Sequence, residues 1–122
     1  MKKTTIKKEE KVIDANDKTL GRIASEAAMY LMGKTKATFE CNKYSGFPVK
    51  IINASKIRIT AKKLEGIFHT RYSGIPGGLR VLKGKETATK KGMKELVKLS
   101  IYQMLPGNKL RRVMMKHLKI EN

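Results

Sequence analysis

The segment from Arg71 to Arg80 places two arginines on either side of a turn rich in glycine. It reads Arg-Tyr-Ser-Gly-Ile-Pro-Gly-Gly-Leu-Arg. Gly77 and Gly78 have no side chains, so the backbone there can approach a partner closely and present its amide groups. Arginine forms strong, bidentate hydrogen bonds to phosphate. The pattern therefore predicts an anion-binding loop. A tight turn with positive φ would explain the glycines, but it would not explain the arginines.

Lysine and arginine also dominate three long tracts that contain no acidic residue, residues 41–64, 66–85 and 96–120. The whole chain has 28 Lys and Arg against 10 Asp and Glu, a formal net charge of +18. An ordinary solvated surface mixes both signs of charge. Dispersed cations match the repeated phosphates of a nucleic acid. We therefore predict a nucleic-acid-binding surface. The residues expected to form it are Lys18, Arg22, Lys34, Lys36, Lys56, Arg58, Lys62, Lys63, Arg71, Tyr72, Ser73, Gly77, Gly78, Arg80, Lys109, Arg111, Arg112, Lys116 and Lys119.

The sequence contains no module that reads bases in a known way. It lacks the aromatic signature of an RRM, the flanked GxxG of a KH domain and heptads behind a basic region. Tyr72 is the aromatic residue of the glycine-rich loop, and it could stack on an unpaired base or fill the core of its own domain. The residues leave both alternatives open.

Catalytic and metal-binding chemistry finds little support in the residue pattern. Cys41 with His69, or Asp14 with Asp17, would lack a third orienting or liganding group at a recognisable spacing. One cysteine and two distant histidines do not form a zinc site. Neither GxGxxG nor GxxxxGK[ST] occurs, so nucleotide binding has no motif. We expect no enzymatic activity, no cofactor, no metal and no small-molecule substrate.

The hydropathy pattern gives no indication of a membrane partner. No window approaches the roughly 20 apolar residues of a membrane-spanning helix. Residues 1–11 are basic, lack an apolar region and include Glu9 and Glu10, so they resemble neither a signal nor a transit peptide. We expect a cytoplasmic protein, in which the unpaired Cys41 is ordinary.

The first half of the chain predicts short strands around one helix. Apolar residues recur near a 3.6-residue period from Leu20 until Gly33, which is typical of a helix with a glycine C-cap. Residues rich in β-branched side chains or alternating with period two predict strands. These strands are expected at Val12–Ala15, Val49–Asn53 and Ile57–Thr60, with part of another at Ile67–Phe68.

The second half predicts a long loop and two helices. Three glycines and a proline exclude regular structure from Tyr72 to Leu79. An apolar stripe from Met93 to Met104 predicts a helix that Pro106 and Gly107 end. A last helix is expected from near Asn108, with an inner face and an opposite basic stripe. Its inner face would carry Leu110, Val113, Met114, His117 and Leu118, and its stripe Lys109, Arg112, Lys116 and Lys119. The order of elements predicts a single α/β domain at residues 12–122 after a basic leader at 1–11.

The motifs also resemble a family, the bacterial-type large-subunit ribosomal protein thirteen. The similarity covers most of the chain. It rests on Val12–Ala15, Lys18–Arg22, Leu31–Lys34, Ile52–Ala54, Ile57–Thr60, Ser73–Leu79, Met104–Pro106 and Asn108, in this order and spacing.

This resemblance implies a three-layer α/β/α domain with a small, largely parallel sheet. It also implies binding to large-subunit ribosomal RNA beside neighbouring large-subunit proteins, a role in early subunit assembly, and RNA contacts by the Ser73–Leu79 loop. The His-rich extension common in the family does not follow Ile120, so we expect none of its contacts. A free RNA-binding regulator or RNA chaperone outside the ribosome is the alternative, because it would need the same basic surface.

Overall fold

A computed structural model describes residues 9–122, so most of the predicted leader, residues 1–8, lies outside the described residues. Lys11, the last residue of that leader, begins the first strand. The elements in chain order are β1 (Lys11–Asp14), α1 (Leu20–Met32), β2 (Val49–Ile52), α2 (Ala61–Gly66), β3 (Phe68–Tyr72), β4 (Leu79–Lys83), α3 (Gly84–Lys91), α4 (Met93–Met104), α5 (Leu110–Lys116) and β5 (Leu118–Ile120). A short 3₁₀ turn at Ala54–Lys56 follows β2.

Strands β1, β2 and β5 form a parallel sheet with β2 in the centre. Ile13 and Ile51 are paired across β1 and β2, and both side chains are buried in the core. Side chains alternate between the two faces of a sheet, so the neighbouring row of Val12, Lys50 and Lys119 lies on the opposite face. Val12 there is 60% exposed. The α/β class and the largely parallel sheet are confirmed.

Helix α1 provides the largest share of the core. Its periodic apolar residues Leu20, Ile23 and Leu31 are buried, and the helix packs on β1, β2, α4 and α5. Gly33 ends it with φ +80°, and its N–H donates to the carbonyls of the last turn. The predicted helix and its glycine cap are confirmed.

Strands β3 and β4 form an antiparallel hairpin, a second sheet that the sequence did not predict. The hairpin includes Tyr72 and Leu79, so the predicted long loop is reduced to residues 73–78. His69 pairs with Leu82 on the face turned toward the rest of the protein, and His69 is buried. Phe68, on the opposite face, is 64% exposed. The hairpin thus has one inner and one outer face.

The predicted strand at Ile57–Thr60 is wrong. Only Arg58 pairs there, through an isolated parallel bridge to Thr19. The chain turns into α2 instead, because the Thr60 hydroxyl accepts a hydrogen bond from the Lys63 N–H at 3.4 Å and caps the new helix. Helices α2 and α3 were also not predicted.

The predicted extent of the last helix is wrong as well. The helix begins at Leu110, close to the expected start, and ends at Lys116. The following residues form β5. The carbonyl of His117 accepts a hydrogen bond from the N–H of Val49 at 2.9 Å, and the residues after it pair in parallel with β2. Lys119 therefore lies on the sheet. Val113, expected on the inner face, is exposed, whereas Met114 is buried as predicted.

Candidate nucleic-acid interface

Ion pairing distinguishes the free cations from those the protein already uses. Within residues 9–122, six ion pairs join Lys to Glu side chains. Among the predicted contact residues only two take part: Lys18 lies 3.5 Å from Glu26, and Lys119 lies 3.7 Å from Glu10. In this described part of the chain, the other predicted lysines and arginines have no acidic partner. Most of the predicted cations are therefore available to an external anion.

Four predicted residues meet where α1 begins, and we call Lys18, Arg22, Lys56 and Arg58 the helix-start patch. The N–H of Arg58 donates to the carbonyl of Lys18 at 3.1 Å, which holds the two segments together. All four side chains are exposed. The first turn of α1 contains no acidic residue and its cap side chain makes no hydrogen bond, so the positive end of the helix dipole adds to the patch.

Helix α2 adds two basic residues close to Arg58 in the chain. It contains Lys62 and Lys63, both exposed, and none of its residues is buried. The two lysines follow Arg58 by four and five positions, so we group them with the helix-start patch.

Lys34 and Lys36 lie apart from this patch, beyond the other end of α1. The helix has 13 residues, which at 1.5 Å per residue separates its ends by about 20 Å. The ammonium group of Lys36 donates to the carbonyl of Ser45 at 2.6 Å and lies 3.9 Å from the centre of the Phe47 ring. Lys36 is thus held within its own protein, whereas Lys34 is exposed.

The hairpin places two predicted arginines directly opposite one another. Arg71 on β3 is paired with Arg80 on β4, and both are exposed. Like charges at opposed cross-strand positions destabilise a hairpin. Neither side chain has an acidic partner among the described residues. A bound anion between the two guanidinium groups would remove this repulsion.

The tip of the hairpin uses its glycines to close the turn. The N–H of Gly78 donates to the carbonyl of Ile75 at 2.9 Å, and a Cβ on Gly78 would collide with Ser73. Gly77 has φ +80°, with open space where its side chain would be. The turn alone therefore accounts for both glycines. Tyr72 is 61% exposed, so the alternative that it fills the core is wrong.

Helix α5 presents a shorter basic stripe than predicted. Lys109, Arg112 and Lys116 are exposed at steps of three and four, and we call them the α5 stripe. The guanidinium of Arg111 lies 4.4 Å from the centre of the Tyr102 ring, and its Nε donates to the carbonyl of Pro106 at 3.0 Å. Arg111 thus fastens α5 to the end of α4.

The open face of the parallel sheet has a different charge pattern. Lys119 is paired there with Glu10, and Lys50 lies 2.8 Å from Glu121, which raises the pKa of Lys50. The pKa of Asp14 is lowered, chiefly because the Asn53 side chain donates to its carboxylate at 2.9 Å. Charges on this face are balanced within the protein. The excess positive charge lies elsewhere.

A cleft of about 800 Å³ separates the inner face of the hairpin from helices α3, α4 and α5. It brings Arg71 of the hairpin and Arg112 of the α5 stripe to one cavity. The other charged residues that line it are Lys83, Glu86, Lys90, Lys91 and Glu95. Sequence reasoning did not find this cleft, because α3 and the hairpin were not predicted.

His69 lines this cleft and is only 4% exposed. Neither of its ring nitrogens makes a hydrogen bond of normal geometry within the described residues. Burial lowers the pKa of His69, and an interaction with the Gln103 side chain opposes the shift. Burial therefore favours the neutral imidazole, which has one donor and one acceptor, and Gln103 is the neighbouring side chain that interacts with it.

Two kinds of site find no support in the described part of the chain. Residues 9–122 contain no group of three or more His, Cys, Asp or Glu side chains that could hold a metal ion. None of the helices there has the length and apolar character needed to cross a membrane.

Exposed, unpaired cations on a small α/β framework define a class of protein that binds nucleic acid through its phosphates. Comparison with known sequences identifies the family. The sequence model of ribosomal protein L13 matches residues 8–120. The chain is 39% identical over 119 residues to large ribosomal subunit protein uL13 of Syntrophotalea carbinolica, covering 98% of this chain and 83% of that protein.

Two further relatives with the same name agree. The protein of Saccharopolyspora erythraea is 43% identical over 109 residues, which cover 89% of this chain and 73% of that protein. The protein of Moorella thermoacetica is 44% identical over 109 residues, which cover 89% and 75%. The chain belongs to the ribosomal protein L13 family.

Proposed function

We propose that this chain is a structural, non-enzymatic constituent of the large ribosomal subunit in the cytoplasm. It binds large-subunit ribosomal RNA, contacts neighbouring large-subunit proteins and supports early subunit assembly. Family membership supports this function. One cluster of buried side chains joins the sheet to α1, α4 and α5, which supports a single domain at residues 12–122.

The observation that carries the proposal is the division of charge over the surface. The sheet face balances its own charges, whereas the helix-start patch, the hairpin and the α5 stripe expose cations that have almost no acidic partners. In particular, the opposed Arg71 and Arg80 are costly for the isolated protein. A phosphate backbone along these surfaces compensates them. We place the RNA contacts there and on the exposed Lys34.

The two RNA-related functions differ in how firmly the chain remains with the ribosome. Tagged chain is expressed in cells, and large subunits are isolated on a gradient after a high-salt wash. A structural constituent stays with the large subunits in a fixed ratio. A free regulator or RNA chaperone leaves them in the wash, and that result would overturn the proposal.

A further inference from the structure

The cleft between the hairpin and helices α3 to α5 has a composition unlike the exposed basic surfaces. Its volume of about 800 Å³ falls within the range of roughly 300–1,000 Å³ found for small-ligand sites. Apolar side chains of Leu82 and Leu99 line it together with Tyr102. A site for a phosphate alone would need only cations. The apolar lining favours a ligand that also has a weakly polar part.

Charge at the cleft favours an anionic ligand. Five basic side chains line it, contributed by the hairpin, α3 and α5, against the two acids Glu86 and Glu95. The two arginines, Arg71 and Arg112, approach from different elements and have no acidic partner in residues 9–122. An anion in the cleft would therefore be held from more than one side.

His69 supplies the polar group that such a ligand requires. A buried polar atom without a partner costs free energy. Within residues 9–122, neither ring nitrogen of His69 makes a hydrogen bond of normal geometry, and the Gln103 side chain that interacts with the ring is itself exposed. A neutral imidazole offers one donor and one acceptor. The edge of a nucleobase offers the complementary pair. A base in the cleft would satisfy the histidine while its phosphates contact the arginines.

The aromatic ring of Tyr102, which would lie beside the proposed base, is held in place by Arg111. The guanidinium of Arg111 packs on the ring of Tyr102, and Arg111 is anchored to the carbonyl of Pro106. This arrangement holds Tyr102 at the cleft, where an aromatic ring can contact a base.

We propose that this cleft receives one unpaired nucleotide of the bound RNA, with the base beside His69 and the phosphates at Arg71 and Arg112. The cleft is too small for a base-paired helix, so the nucleotide must be extruded from a loop or bulge, where RNA bases are accessible. This inference rests on the proposed function, because large-subunit ribosomal RNA supplies the nucleotide.

The first test measures the affinity of the full chain for transcribed large-subunit ribosomal RNA at fixed salt. His69→Phe keeps an aromatic ring but removes both hydrogen-bonding nitrogens, and we expect roughly 5- to 10-fold weaker binding. His69→Gln retains a donor and an acceptor and should lose less. His117→Phe is the matched control, since His117 lies outside the cleft, and its affinity should stay within about twofold of wild type.

A second variant keeps the test valid if His69→Phe does not fold. Gln103 is exposed and lines the cleft, so Gln103→Trp narrows the cavity, and it also removes the side chain that interacts with His69. We expect it to weaken RNA binding while circular dichroism shows a normal unfolding temperature. Unchanged affinity of the folded variant would overturn the inference.

Photocrosslinking identifies what occupies the cleft. A benzophenone amino acid in place of Tyr102 should attach to one unpaired nucleotide in assembled large subunits. Attachment to a protein segment, or to many paired nucleotides, would overturn the inference. If the wild-type chain does not bind the RNA at all, the proposed function itself fails. If wild type binds but the cleft variants bind equally well, only the cleft inference fails.

Discussion

Replacing Arg80 by glutamate should stabilise the protein while weakening its binding to RNA. The substitution converts the opposed Arg71 and Arg80 pair into a pair of opposite charge. Such a cross-strand change alters the free energy of unfolding by roughly 0.2–1 kcal/mol. Because both side chains are exposed to solvent, we expect an increase of about 0.5 kcal/mol. For 122 residues, an unfolding entropy of about 2 cal/mol/K per residue converts this to a rise of about 2 °C.

The same substitution removes a predicted phosphate contact. Each contact contributes about 0.9 to the slope of log affinity against log salt on duplex nucleic acid. Between 50 and 200 mM salt, wild type should therefore lose roughly 3.5-fold more affinity than Arg80→Glu. Filter binding over a salt series measures this difference, and thermal melts measure the stability.

Lys43→Glu is the matched control for Arg80→Glu, since it changes the net charge by the same amount. Lys43 already pairs with Glu40 at 2.9 Å and lies outside the predicted contact residues. Its salt slope should equal that of wild type. A lower melting temperature for Arg80→Glu at low salt would refute the repulsion argument. An unchanged slope would refute the phosphate contact.

Four further predictions concern the salt dependence of RNA binding, the hairpin turn, helix α5 and His69. The isolated protein should lose roughly 10³- to 10⁵-fold in RNA affinity between 50 and 200 mM salt if six to ten contacts form, and a flat response would contradict this. Gly77→Asn should keep the turn, since Asn tolerates positive φ. Lost RNA affinity with an unchanged circular dichroism melt would show that RNA approaches the backbone closely at Gly77. Unchanged affinity would show that the turn conformation alone requires the glycine. Charge reversal of Arg112 and Lys116 to Glu should weaken incorporation into large subunits with stability changes of no more than about 0.5 kcal/mol each, and normal incorporation of the folded variant would move the RNA surface elsewhere. Burial lowers the pKa of His69 below 6.5, so at lower pH the unfolded chain takes up a proton that the folded chain excludes. The contribution of His69 to stability is therefore fully present above about pH 6.5 and is lost as the pH falls below it. The melting temperature of His69→Gln should fall less than that of wild type between about pH 7.5 and 5.5, and equal losses would contradict this.

Strong local patterns made much of the framework predictable. Helix α1 combines a regular apolar stripe with Gly33 at its end, and α4 combines a stripe with a following proline. Strand β2 is dense in β-branched residues. In each case the buried face is already visible in the spacing of side chains.

The remaining elements lack such a signal or depend on distant residues. Helix α3 buries only Gly84 and Thr87, and α2 buries nothing, so neither has an apolar stripe. Strand β5 continues the helical spacing of α5 in sequence. It becomes a strand because β2, almost 70 positions earlier, offers free backbone groups. The local spacing of apolar residues gives no information about that pairing.

In the candidate site, too, some features follow from the local sequence and others depend on distant residues. Residue types and acid-free tracts predicted which side chains bind phosphate, and that prediction did not need the fold. The opposition of Arg71 and Arg80 needed the hairpin register, and the pairing of Lys119 with Glu10 needed the sheet. His69 gave no recognisable signal, because the cleft around it is formed by elements from four parts of the chain.

An electron-microscopy structure of large subunits that contain this chain would show directly which of its surfaces face RNA. We expect ribosomal RNA phosphates within hydrogen-bonding distance of Arg71, Arg80 and Arg112, and we expect the balanced sheet face around Lys50 to be turned away from RNA. A subunit in which RNA covers the sheet face, while the hairpin and the α5 stripe lie in solvent, would contradict this expectation.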